Sequence, residues 1–244
     1  MIYDIIELDL ACSRVEKLPD LSRYKKLTKI YCSWNTITNM DNLPNGLEIL
    51  DCRSNRITNL DNLPSSLKEL FCGNNYLTKL DNLPNGLRIL NCMGNRFTEL
   101  NNLPRDLIYL NCCHNKLQHL NNLPSSLKEL DCDNNNLIYL DNLPCDLIKL
   151  SCCGNKLTQL DNLPSSLILL ICSNNNQIKH LDNLPNTLIE LNCSNNNLTQ
   201  LDNLPNTLKK LVCFQNQITT LDYLPDTLEI LICFFTPYAD KNGI

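Results

Sequence analysis

The chain has 244 residues, 21 of them basic and 26 acidic, for a net charge of −5, so it lacks the basic excess that grips a phosphate backbone, and nucleic acid is excluded as the expected partner. Its longest uninterrupted apolar run, Leu167 to Cys172, is far shorter than the roughly 20 residues that cross a bilayer, so no membrane span is expected. Met1 to Leu10 carries three acids and no base, unlike a secretory signal with its positive n-region and apolar h-region.

The chain repeats itself from its first residues. Ile5, Leu8, Leu10, Ser13, Val15, Leu18 and Leu21 fit a divergent 22-residue unit, read as an N-terminal capping repeat over 1–26. From Leu27 a 20-residue pattern, L-x-x-L-x-C-x-x-N-x-L-x-x-L-D-N-L-P-x-x, recurs in ten tandem units over 27–227. One unit carries an extra residue near Asn175, Asn176 and Gln177. A partial repeat opens at Leu228 and runs with a tail to 244, the whole being read as one continuous solenoid.

Within a unit, L-x-x-L-x-C alternates apolar and variable residues as a short strand requires. Stacked coils would set these strands about 4.8 Å apart in a parallel sheet. Unit positions 1, 4, 6, 11, 14 and 17 are expected to face a shared interior that no single coil could bury. The Asn at position 9 (Asn35, Asn55, Asn75 and their successors) is polar among inward neighbours, so its amide must bond backbone groups of its own and adjacent coils. The D-N-L-P run turns the chain, with Asp and Asn expected in Asx-type turns and Pro fixing an extended return. Few glycines and no helix-length amphipathic stretch predict an extended or short 3-10 outer side.

These residues resemble the leucine-rich repeat superfamily. The short unit is similar to the compact repeats of bacterial effectors of the YopM and IpaH type, and the Asn-rich, Cys-bearing variant to repeat proteins of giant DNA viruses and the FNIP-type repeats of amoebae. Two departures from the effector pattern stand out: Cys replaces Val or Leu at position 6, and the turn reads D-N-L-P. The resemblance implies an α/β-class solenoid, mostly β here, wound as a right-handed superhelix with a concave parallel sheet. It also implies a protein-interaction scaffold, virus-like or effector-like, acting on host proteins. The ubiquitin-ligase domain that follows the repeats in IpaH-like members is not matched after Cys233, so that activity is not expected.

Eleven cysteines fall at position 6, from Cys32 to Cys233, and are read as a packed row of buried thiols. A straight row cannot converge four sulfurs on one zinc ion, and parallel side chains in register are badly aimed for disulfides, so neither metal nor cofactor is implied. Reduced thiols in this number point to a reducing, cytoplasmic compartment. Cys113 and Cys153 lie off the row and are expected to face solvent. Cys113 precedes His114, the one thiol–imidazole neighbour pair, but no orienting third group is evident and no enzyme is expected. For the turn aspartates, capping is expected, with divalent-cation binding as the alternative.

Because fixed positions specify the fold, partner information must sit at the variable outward positions 2, 3, 5, 7 and 8. Tyr31, Trp34, Arg53, Phe71, Arg88, Met93, Tyr109, His114, Ile171 and Phe214 are the candidate contacts, rich in the residue types that anchor interfaces. Mixed charge favours a protein or peptide ligand. The alternative is a structural protein that self-assembles into homo-oligomers through its C-terminal end, where Phe234 and Phe235 lie.

Overall fold

The computed structural model describes residues 4–222 and 224–243, which form two compact units, Met1–Leu117 and Gln118–Ile244. The first holds six parallel strands: β1 (Glu7–Asp9), β2 (Lys29–Tyr31), β3 (Ile49–Asp51), β4 (Glu69–Phe71), β5 (Ile89–Asn91) and β6 (Tyr109–Asn111). The second holds β7 (Glu129–Asp131), β8 (Lys149–Ser151), β9 (Leu169–Ile171), β10 (Glu190–Asn192), β11 (Lys210–Val212) and β12 (Ile230–Ile232), again parallel and in chain order. Within each unit a strand pairs unit positions 3, 4 and 5 with the same positions of the next, as in Leu50↔Leu70. The fold is thus the mostly β solenoid that the repeat implies. The outer side is extended apart from a 3-10 turn at Leu21–Arg23.

Five inward rows pack as expected. Leu47, Leu50, Cys52, Ile57 and Leu60, one from each row of a single coil, are all buried, and the pattern repeats through both units. At about 1.5–3 kcal/mol per buried aliphatic side chain, these rows dominate the stabilisation. The sixth expected row, position 17, is only half-buried at Leu43, Leu63 and Leu83. Leu184 and Leu204 alone in that row are buried.

The asparagine row is the polar spine. Asn75 donates from Nδ2 to the carbonyls of Cys52 (3.0 Å) in the preceding coil and of Cys72 (3.1 Å) and Gly73 (3.2 Å) in its own, while its Oδ1 accepts from the Ile57 N–H at 3.0 Å. Asn55 and Asn95 repeat the arrangement, so each amide satisfies buried backbone groups of two coils at once. Asn175 belongs to the row as well, bonding Cys152 O and Cys172 O; the extra residue is accommodated just after it, where Asn176 takes φ 53° and Gln177 N–H closes back on Asn175 O.

The turn closes when the position 1 N–H donates to the proline carbonyl, as from Leu47 to Pro44 at 3.0 Å. Its handedness comes from the position 16 asparagine, left-handed at Asn42, Asn102 and Asn122, a conformation that Asn tolerates better than other residues with a Cβ. A second polar row went unread in the sequence: Ser66, Ser166, Thr187, Thr207 and Thr227 at position 20 each hold two carbonyls of the preceding coil with one hydroxyl. Thr236, standing where other coils have the asparagine, donates to Cys233 O and accepts from Ala239 N–H, converting the spine into the N-cap of helix α1 (Pro237–Asn242). Among the described residues no helix is long and apolar enough to cross a membrane.

Candidate interaction surface on the strand face

The outward face of the strands is less uniform than alternation suggests. Positions 2 and 8 are the more exposed and position 3 is mostly half-buried, while 5 and 7 are recessed: Asp51, Asn111 and Val212 at position 5, and Ser33, Gly73, Ser173 and Ser194 at position 7, are buried. Position 7 lies where the chain leaves the strand toward the asparagine spine, so small side chains there sink. This corrects the expectation for Cys113, which is 5% exposed, and for Cys153, which is half-buried. His114 by contrast is exposed.

In the first unit the structure brings Tyr31, Arg53 and Phe71 together. Tyr31, Asp51 and Phe71 are register partners on β2, β3 and β4. Arg53 reaches back from position 7 to grip Asp51 side-on, Nε to Oδ1 at 3.0 Å and Nη2 to Oδ2 at 2.7 Å, with its Cζ 5.5 Å from the Phe71 ring centroid. The hydrogen bonds that Arg53 donates to Asp51 raise the guanidinium above its ordinary pKa. Asp51 was legible as a surface acid but not as the clamp it is.

Trp34 stands 69% exposed one coil earlier, its N–H bonded to Arg53 O at 2.9 Å. Its φ is 58°, because position 8 is left-handed in every complete coil; the others place Asn, Gly or another polar residue there, as at Asn74 and Gly94, save Phe235. A bulky residue in that well is strained by about 1–2 kcal/mol. Trp34→Asn is therefore expected to stabilise the chain by ~0.5–1 kcal/mol, read as a higher denaturant midpoint; an unchanged or lower midpoint contradicts the strain.

Of the remaining candidates in this unit, Arg88 is exposed, Tyr109 half-buried, and Met93 half-buried over Gly73, where a Cβ would come within 3.0 Å of Met93 Cγ. In the second unit Ile171 is half-buried on β9. Phe214 stacks on Phe234 at 4.6 Å and 10°, and Phe235 sets its edge against Phe234 at 5.2 Å. A groove of about 510 Å³ runs past Ile168, Ile189, Thr187, Thr207 and Thr227, apolar because the threonine hydroxyls turn inward to the preceding coil.

The same face of the second unit holds a polar knot. Asp133 Oδ1 accepts from Ser151 Oγ (2.8 Å) and Cys153 N–H (2.7 Å), and Ser173 Oγ donates to Cys153 Sγ at 3.0 Å. Burial raises the Asp133 carboxyl above its ordinary value, against the lowering effect of Ser151. A raised carboxyl favours the fold while protonated and costs stability once pH climbs through the raised value. Asp133→Asn keeps the Oδ1 acceptor, so at pH 7 it should gain a few tenths of a kcal/mol after solvent screening, an advantage that melts run at about pH 3 should no longer show.

The position 6 thiols are chemically quiet. Burial pushes Cys32, Cys72 and Cys213 up to about 12, and Cys52, Cys92, Cys152, Cys172, Cys193 and Cys233 upward as well. Cys12 and Cys145 are exposed. Brief alkylation of the native chain should label these two and spare the row, which mass mapping resolves; modification of the row without unfolding contradicts its burial.

No family model matches the sequence, and no curated protein does either. Among solved structures, YopM from Yersinia enterocolitica WA-314 superposes with a TM-score of 0.87 at 35% identity, over 91% of this chain and 49% of that one. The functional domain of InlJ from Listeria monocytogenes, described as including a cysteine ladder, gives 0.75 at 29%, over 88% of this chain and 55% of that domain. The chain is a leucine-rich repeat protein. YopM from Yersinia pestis, described as a leucine-rich effector protein, matches at 0.60 and 27% over 95% of this chain and 84% of its own length. This leucine-rich repeat chain thus spans about half the length of the first two relatives, and its coils of about 20 residues in a parallel solenoid match the leucine-rich repeat type.

Proposed function

We propose that this leucine-rich repeat chain is an interaction scaffold that engages a partner protein or peptide through the outward face of its strands, in a reducing, cytoplasmic compartment. The observation that carries the reading is the division of labour within each coil. Buried rows keep the same residue types from coil to coil, whereas the exposed positions differ and gather Trp34, Tyr31, Phe71 and an oriented Arg53 on one face. The effector description of the Yersinia pestis neighbour supports a binding role, and the fifteen free thiols support the compartment.

The test is affinity capture with three forms of the full chain. One is the parent, one carries Trp34→Asn with Arg88→Glu on the strand face, and one carries Lys79→Glu with Lys156→Glu away from it. A partner held by the first and third and lost about tenfold or more with the second supports the reading. Equal capture by all three contradicts it.

A further inference from the structure

The strand face of the first unit carries an arginine whose donors are only partly spent. A guanidinium offers five N–H groups in a rigid fork. Asp51 takes Nε–H and one Nη2–H in a side-on grip, and its own backbone-bonded carboxylate is only 8% exposed. The Arg53 side chain is 45% exposed, so the opposite, end-on edge, with both Nη1–H and the second Nη2–H, is turned outward and held still. An end-on edge with parallel N–H vectors matches a carboxylate, and a donor already fixed in place loses little entropy on binding.

What frames this edge is apolar. The Phe71 ring lies beneath the guanidinium, Tyr31 sits on the register partner of Asp51, and the exposed Trp34 indole rises from the residue bonded to Arg53 O. The sequence keeps a strained tryptophan at a position where neighbouring coils place Ser54, Asn74 and Gly94. The buried Asp51 carboxylate opposes a dianion at the same edge, which favours a carboxylate over a phosphate.

We propose that Arg53, clamped by Asp51 and framed by Tyr31, Trp34 and Phe71, anchors a partner segment in which an Asp or Glu carboxylate lies next to a large apolar side chain. This rests on the reading of the strand face as the recognition surface and names the chemistry recognised there. The carboxylate closes onto the end-on guanidinium edge while the apolar neighbour covers the indole and the Phe71 rim, excluding water from the ion pair.

Trp34 is the only tryptophan of the chain, so its emission reports on this cluster alone. The full chain is titrated with three pools of short end-blocked peptides that share a fixed Leu and differ in the residue beside it: Glu, Gln or phosphoserine. The Glu pool is expected to shift the emission to the blue with a half-saturation about tenfold below that of either other pool. The Asp51→Asn/Arg53→Gln double variant, which leaves no buried charge unpaired, is expected to abolish the preference. Trp34→Asn, relieved of strain and therefore folded, should bind a dye-labelled Glu pool about tenfold more weakly by anisotropy. Equal response to Glu and Gln, tighter binding of phosphoserine, or an unchanged double variant overturns the proposal. A purified partner that binds parent and double variant equally, yet is lost with Arg88→Glu, overturns this anchor and leaves the strand-face reading standing.

Discussion

Asn75→Ala is expected to destabilise the chain by about 2–4 kcal/mol, a large loss for one small side chain. The substitution leaves the buried Ile57 N–H without its acceptor and removes the donor shared by Cys52 O, Cys72 O and Gly73 O. An unmade buried hydrogen bond costs the full desolvation of the group left behind, which is why the loss exceeds the net worth of the bonds. In a stack of coils the damage is local. Amide hydrogen exchange should therefore show the loss concentrated at 52–57 and 72–77 before any global midpoint moves. A change below ~0.5 kcal/mol would mean that water or neighbouring groups replace the amide, and the spine would not be what joins the coils.

Phe97→Ala should cost about 3–5 kcal/mol, since Phe97 is among the largest fully buried side chains and its coil cannot collapse onto the space while the asparagine spine holds it open. Phe97→Leu, which restores the residue type of Leu77 and Leu117 in adjacent coils, should cost under ~1.5 kcal/mol. Denaturant titration of the pair separates a cavity from a specific aromatic requirement. Equal costs for the two substitutions would contradict a core filled row by row with interchangeable aliphatic volume.

The repeat made the core legible because burial in a solenoid is a property of position, not of individual residues: once Leu27 and Leu47 are aligned, the inward rows follow. The asparagine row was legible for the complementary reason, since a polar amide at an inward position has to find backbone partners. Side-chain reach was not. Alternation treats positions 5 and 7 as outward, but their exposure depends on size, so Cys113 sinks while Arg53 bends over Asp51 and Phe71. Nor did the 20-residue pattern announce the position 20 hydroxyls, because Gly46, Gly86, Asp106 and Asp146 interrupt the row; the restriction to Ser or Thr elsewhere was the available signal. The N-cap at Thr236 was hidden by treating residues after Cys233 as a tail, although Thr-Pro followed by Tyr-Ala-Asp is a helix start.

Calorimetric titration of the captured partner, run beside thermal melts of the same samples, tests most directly the division between rows that build the fold and the face that recognises. For a chain carrying Tyr31→Ser, Trp34→Asn and Arg88→Ser, the melting temperature should move by only a few degrees while affinity falls at least tenfold, about 1.4 kcal/mol. Full affinity in a variant that melts like its parent would contradict a recognition surface on the strand face.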